Sequence, residues 1–222
     1  MNSKKKILST KKLSATQKEL LNNFNVDETD LIEIDYNTSV KIQTPVKTAI
    51  FTSKNAVIGI LSQFSIDELQ FENVYCVGDK TSKFLENKNI KVTIKANSAQ
   101  ELADEILLNK DIDEVHFFCG NLRRNELPEI LTENNIKVNE VEVYTTSFKP
   151  VKIKNTYDGI LFFSPSSIKS YLIENPNTQS IAFCIGNTTA SEAINDFENV
   201  FVADEPTVEN VIKSVNQYFD YE

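Results

Sequence analysis

The stretch VYCVGDKTSK, residues 74–83, returns in altered form as AFCIGNTTAS, residues 182–191. In both, a short β-branched and aromatic run reaches a glycine and then a hydroxyl-rich helix start. The same kind of echo joins IFTSKNAV (50–57) to FFSPSSIKS (162–170), and IKANSAQELADEI (94–106) to VADEPTVENVIKS (202–214). It also joins KILSTKKLSATQKELL…LIEIDY (6–36) to HFFCGNLRRNELPEIL…EVEVY (116–144), so that Tyr36 answers Tyr144. Every pair recurs at a spacing of about 110 residues, the mark of a duplication.

Each copy alternates short apolar runs with helical segments. ILST, LIEI, AIFTS, VYCVG, VTIK, VHFFCG, VNEVEVY, ILFFS, AFCIG and VFVAD read as strands. Between them, Ser14 with Gln17 and Ser98 with Glu101 form capping-box patterns, and Thr207 opens a segment with helical apolar spacing. Strand–helix alternation means a parallel α/β sheet, and two copies mean two such sheets. NTSVKIQTPV (37–46) and EVYTTSFKP (142–150) break the rhythm. The first follows Tyr36 and the second contains Tyr144, and both read as extended interdomain connectors.

With 41% hydrophobic residues, the 222-residue chain can fill one real core or two small ones. No apolar run approaches the roughly 18 residues of a membrane span. MNSKKKILST has a basic start but no long apolar region and no cleavage site, and reads as the mature start of a cytoplasmic protein. Cys76, Cys119 and Cys184 each lie inside a strand-like run, which favours buried reduced thiols over a disulfide or zinc framework. His116 is the sole histidine, so neither a metal cluster nor a Ser/His/Asp triad can be built around it. The net charge of −9 opposes general nucleic-acid binding but leaves room for a locally bound small anion.

The strand–helix junctions are where chemistry can sit. Gly78, Gly120 and Gly186 each end a strand. They are followed by Asp79-Lys80-Thr81, Asn121-Leu122-Arg123-Arg124 and Asn187-Thr188-Thr189. Thr52-Ser53 and Ser164-Pro165-Ser166 fill the matching junctions that lack a glycine, and Thr10-Lys11-Lys12 follows the first strand. In an open parallel sheet these junctions gather beyond the carboxyl ends of the strands, where ligands bind. Helix N-termini there suit carboxylate or phosphate. The same hydroxyls also serve as plain helix caps, and the glycines as plain turn residues. The two arginines are adjacent, Arg123 and Arg124, at one junction suited to a carboxylate fork. No dinucleotide or P-loop glycine motif occurs.

In their order, IFTSKNAV, VYCVGDKTS, NSAQELA, FFCGNLRRNELPEIL, VEVYTTSF, ILFFSPSSIKSYL, FCIGNTTASEA and EPTVENVI resemble the uroporphyrinogen-III synthase family over almost the whole chain. Where the family often has Thr-Arg-Pro after its first strand, this chain reads Thr10-Lys11-Lys12. The resemblance implies two similar parallel-sheet α/β domains joined by a two-stranded linker, with one domain discontinuous. That puts residues 1–36 and 149–222 in one domain, 47–141 in the other, 37–46 and 142–148 in the linker strands, and a cleft between the domains. It implies no cofactor, a likeness to monomeric cytoplasmic enzymes, and functional coupling to porphobilinogen deaminase. The implied substrate is hydroxymethylbilane, a linear tetrapyrrole with carboxylates around its rim. Thr10, Lys11, Thr52, Ser53, Gly78, Lys80, Thr81, Gly120, Asn121, Arg123, Ser164, Ser166, Gly186, Thr188 and Thr189 are the implied substrate-binding residues. Tyr144 matches the family's tyrosine, and its phenol is either a general acid for the departing hydroxyl or an interface-packing ring. A ligand-binding module without chemistry, or a lapsed homologue, would present the same junctions.

Overall fold

The structure, a computed structural model, describes residues 4–176 and 179–220. The chain opens with β1 (Lys6–Ser9), α1 (Ala15–Glu19), β2 (Asn25–Glu28), β3 (Ile32–Tyr36) and β4 (Thr48–Phe51). There follow α2 (Lys54–Leu61), α3 (Ile66–Leu69), β5 (Asn73–Val77), α4 (Asp79–Glu86), β6 (Ile94–Ala96) and α5 (Ala99–Leu108). The middle of the chain forms β7 (Glu114–Gly120), α6 (Glu126–Glu133) and β8 (Lys137–Phe148). It closes with β9 (Gly159–Phe162), α7 (Pro165–Glu174), β10 (Ile181–Cys184), α8 (Asn187–Ala193), β11 (Val200–Val202) and α9 (Val208–Asp220). Two compact units result: Met1–Glu33 with Ser147–Glu222, and Ile34–Thr146.

A strand that is apolar at successive positions needs cover on both faces, and parallel sheets supply it by placing helices on each side. In the first unit the sheet order is β11-β10-β9-β1-β2, all parallel. Ile7, Leu161 and Phe183 point to one face, where Val211, Ile212 and Val215 of α9 cover them. Leu8, Ile160, Phe162 and Cys184 point to the other, under Ile168 and Tyr171 of α7 and Ala193 of α8. The second unit repeats the pattern with the order β3-β8-β7-β4-β5-β6, parallel from β8 to β6. Phe51, Cys76 and Phe118 pack beneath α2, while Ile50, Tyr75, Val115 and Phe117 pack beneath α5 and α6.

Local signals mostly act as the sequence indicates. Ser14 and Gln17 close a full capping box on α1, and Thr207 Oγ1 accepts the Asn210 N–H at the start of α9. At α5 the box is half made. Ser98 Oγ accepts the Glu101 N–H, but the Glu101 carboxylate turns to the Asn97 N–H at 2.9 Å. Two elements went unforeseen. The polar β2 sits half-exposed at a sheet edge, and α3 is one turn with a complete Ser65–Glu68 box.

Residues 37–46 form no strand, contrary to the extended partner expected there. Their backbone is used locally. Ser39 N–H binds Asn37 Oδ1, Val40 N–H binds Gln63 Oε1, and Val46 N–H binds Leu69 O. Pro45 brings no N–H to a ladder. The neighbour of β8 is instead β3, tied by Asn37 N–H to Val143 O and by Lys149 N–H to Leu31 O. No helix among the described residues is long and apolar enough to cross a membrane.

Candidate functional site

Because the first sheet is all parallel and the second is parallel from β8 to β6, the junction residues line one edge of each. In the first unit Thr10 follows β1, Ser164 follows β9 and Gly186 follows β10. In the second, Thr52 and Ser53 follow β4, Gly78 follows β5, and Gly120 closes β7 beside Tyr144 of β8.

Tyr144 is the best-defined of these side chains. The β7–β8 register shifts between Cys119 and Gly120, so that Gly120 comes opposite Tyr144. The phenol ring lies directly over Gly120, where an added Cβ would run into the ring Cζ. Gly120 is therefore a close-approach glycine rather than a plain turn residue, and α6 begins only at Glu126. The Tyr144 hydroxyl donates to Ser53 Oγ at 3.3 Å. Ser53 caps α2, and its Oγ also accepts the Asn55 N–H at 3.1 Å. The Tyr36 hydroxyl reaches Asn55 Oδ1 at 3.4 Å. Burial, and then the neighbouring Tyr144, push the Tyr36 phenol above its ordinary 10.0. Sequence reading missed Tyr36 and Asn55 as site residues, although Tyr36 was already visible as the repeat partner of Tyr144.

The other candidates divide by what their polar atoms already do. Thr10 is 1% exposed and spends its hydroxyl on Leu161 O at 2.7 Å, while Lys11 lies over the Phe163 ring. Asn121 clamps β8 through two bonds to the Thr146 backbone. Arg123 is held by Glu140 of β8 and by Asn125 Oδ1, so it does not form a free fork with Arg124, which is exposed. Ser164 caps α7 by accepting the Ser167 N–H, and Ser166 beside it is half-exposed. Thr81 and Thr189 are buried, whereas Thr52, Lys80 and Thr188 are exposed. Gly78 has φ +85°, a backbone that favours glycine, while Gly186 is extended at φ 177° with nothing near its missing Cβ.

The thiols are buried and free. Burial pushes Cys119 up to about 11 and Cys184 up to about 12, and raises Cys76. No cluster of metal-ligating side chains occurs among the described residues. Cavities of about 740 and 810 Å³ open by Asp158 and Ser180 in one unit and by Thr48 and Glu114 in the other. These residues stand at or just before strand starts, at the edge opposite the junctions, so the cavities do not define the site.

Parallel sheets covered on both faces define an α/β protein, and the hydroxyls, helix N–H groups and phenol along its strand ends are of the kind that suits a small anionic ligand. The family model described as HEM4, Uroporphyrinogen-III synthase HemD, matches residues 22–213. The chain belongs to the uroporphyrinogen-III synthase family, whose members are cyclising lyases of tetrapyrrole synthesis. Among solved structures, uroporphyrinogen-III synthetase from Helicobacter pylori superposes with a TM-score of 0.70 at 21% identity, covering 96% of this chain and 99% of that one. A mutant uroporphyrinogen III synthase from the extremely thermophilic bacterium Thermus thermophilus gives 0.70 at 12% identity, covering 98% and 99%. The wild-type Thermus enzyme in another crystal form gives 0.52 at 12%, covering 97% and 98%. At these identities the likeness is one of fold. No curated protein matches the chain.

Proposed function

We propose that the chain converts hydroxymethylbilane into uroporphyrinogen III, with Tyr144 as the general acid. The observation that carries the acid role is the Tyr144 hydroxyl poised on Ser53 at the N-terminus of α2. Loss of the ring A hydroxyl requires a proton, and a phenol can donate it. Water leaves and an azafulvene forms. This attacks the substituted position of ring D, and the spiro intermediate fragments and recloses with ring D inverted. The final ring carbon returns a proton to the phenolate, so the net change is loss of one water. No electrons are exchanged, so the chemistry calls for no redox cofactor.

Thr52, Ser53, Gly78, Lys80, Thr81, Gly120, Asn121 and Arg123 on one sheet edge serve the substrate carboxylates in this reading. Thr10, Lys11, Ser164, Ser166, Gly186, Thr188 and Thr189 do so on the other. Where both donors are already spent, as at Thr10, whose hydroxyl and N–H both go to Leu161 O, the contribution is shape. The helix starts after Ser53, Gly78, Ser164 and Gly186 add free N–H groups and a positive dipole end. The reading extends to two α/β domains, 1–36 with 149–222 and 47–141, linked through 37–46 and 142–148. The division into one discontinuous and one continuous compact unit supports the two domains, with the breaks at 33/34 and 146/147. It extends also to a cytoplasmic monomer coupled to porphobilinogen deaminase.

The test supplies porphobilinogen and porphobilinogen deaminase, then separates the oxidised porphyrin isomers. Added protein should divert product from type I, which hydroxymethylbilane forms unaided, to type III, and a chelator should leave this unchanged. Type I product alone, with folded protein present, would favour a binding module without catalysis.

A further inference from the structure

The proposed acid does not stand alone at the start of α2. Tyr144 and Tyr36 come from β8 and β3, neighbouring strands at the sheet edge, and both hydroxyls end on the first turn of one helix. Their acceptors, Ser53 and Asn55, are themselves joined by the Asn55 N–H to Ser53 Oγ bond. Asn55 thus joins the two: its side-chain oxygen meets the Tyr36 hydroxyl, and its backbone N–H meets the Ser53 oxygen that the Tyr144 hydroxyl also reaches. We propose that Tyr36 is a positioning residue for proton transfer at Tyr144, acting through Asn55 and Ser53.

The geometry gives the reason. Ser53 Oγ accepts from both Asn55 and Tyr144, which leaves its own hydrogen free to turn toward the Tyr144 oxygen once that oxygen has lost its proton. This works only while Asn55 stays seated at the second position of the helix. The Tyr36 hydroxyl anchors the Asn55 side chain there. Tyr36 suits the part because it keeps its proton. Burial first, and Tyr144 second, hold its phenol above the ordinary value, so it remains a neutral donor while Tyr144 carries charge. In this proposal Tyr144 gives up a proton and Tyr36 positions it.

This inference rests on the acid role proposed for Tyr144, and a double-mutant cycle separates the two. Tyr36→Phe should lower kcat about tenfold, below the roughly 10²-fold or more that a direct acid–base group supplies because Tyr36 acts at one remove, with KM and melting temperature nearly unchanged. In a Tyr144→Phe background, Tyr36→Phe should have little further effect, because the residues act as one unit. Asn55→Ala breaks the same link from the helix side and should reproduce the loss, which keeps the test open if Tyr36→Phe folds poorly. Wild-type kcat in both Tyr36→Phe and Asn55→Ala, or losses fully additive with Tyr144→Phe, would overturn the inference while leaving the acid role standing. Failure of the unaltered protein to form type III isomer would overturn both.

Discussion

Gly120 and Tyr144 are matched across two strands: the ring occupies the space that any Cβ at residue 120 would need. Gly120→Ala should therefore displace the ring, cost about 1–3 kcal/mol as an overpacked site does, and depress turnover by breaking the bond to Ser53. Gly186→Ala is the control. Its backbone is extended and nothing lies within 4 Å of the added atom, so stability should stay within about 0.5 kcal/mol. Denaturant melts and the isomer assay read both. Tyr144→Phe keeps the packing on Gly120 and removes only the donor. It should lower turnover by about 10²-fold while substrate affinity and melting temperature hold, and wild-type turnover would remove Tyr144 from the mechanism. The arginine pair separates at this scale too. Arg123 is engaged by Glu140 and Asn125 and Arg124 is exposed. Arg124→Ala should thus weaken substrate binding, measured as KM against salt, more than it affects folding.

Among the elements, legibility tracked burial. Strands such as β4 and β9 are buried at every position and read directly as short apolar runs. The sequence of β2, NVDE, carries no such signal, because an edge strand needs only half its surface covered and β1 supplies the pairing. The one-turn helix α3 was overlooked for the opposite reason: its Ser65–Glu68 box is explicit, but the turn is too short to show periodicity. That box satisfies the Glu68 N–H through Ser65 Oγ and the Ser65 N–H through the Glu68 carboxylate. Ser65→Ala should cost about 1 kcal/mol, visible as a lower denaturant midpoint with the m-value unchanged. The connector over 37–46 forms no strand, since alternating polar and apolar residues signal an extended chain without saying what pairs with it. Asn37 and Gln63 side chains took the bonds that a strand partner would have made.

Across the whole molecule the buried groups set the response to pH. Burial holds His116 below its ordinary 6.5. The unfolded chain therefore binds a proton near pH 6.5 that the folded one refuses, and stability is lost as pH falls below that value toward the folded pKa. As the sole histidine, it can be isolated. Between about pH 7.5 and 5.5 the melting temperature should fall more for the unaltered protein than for His116→Gln. The cysteines belong to the same picture: buried and with raised pKa, all three should resist a thiol reagent at neutral pH until denaturant is added. By itself the sequence determined the alternation of strands and helices, the covering of both sheet faces, the hydroxyl and glycine junctions at the strand ends, and the echo between Tyr36 and Tyr144. These are local or repeated patterns, and a period of two or of 3.6 can be read without knowing neighbours. Only the tertiary structure decided that β1 inserts between β9 and β2, joining chain segments far apart in sequence. It alone decided that Tyr144 rests on Gly120 and reaches Ser53, and that Tyr36 meets Asn55. Those contacts depend on strand order, and on a one-residue shift of register that no single strand encodes.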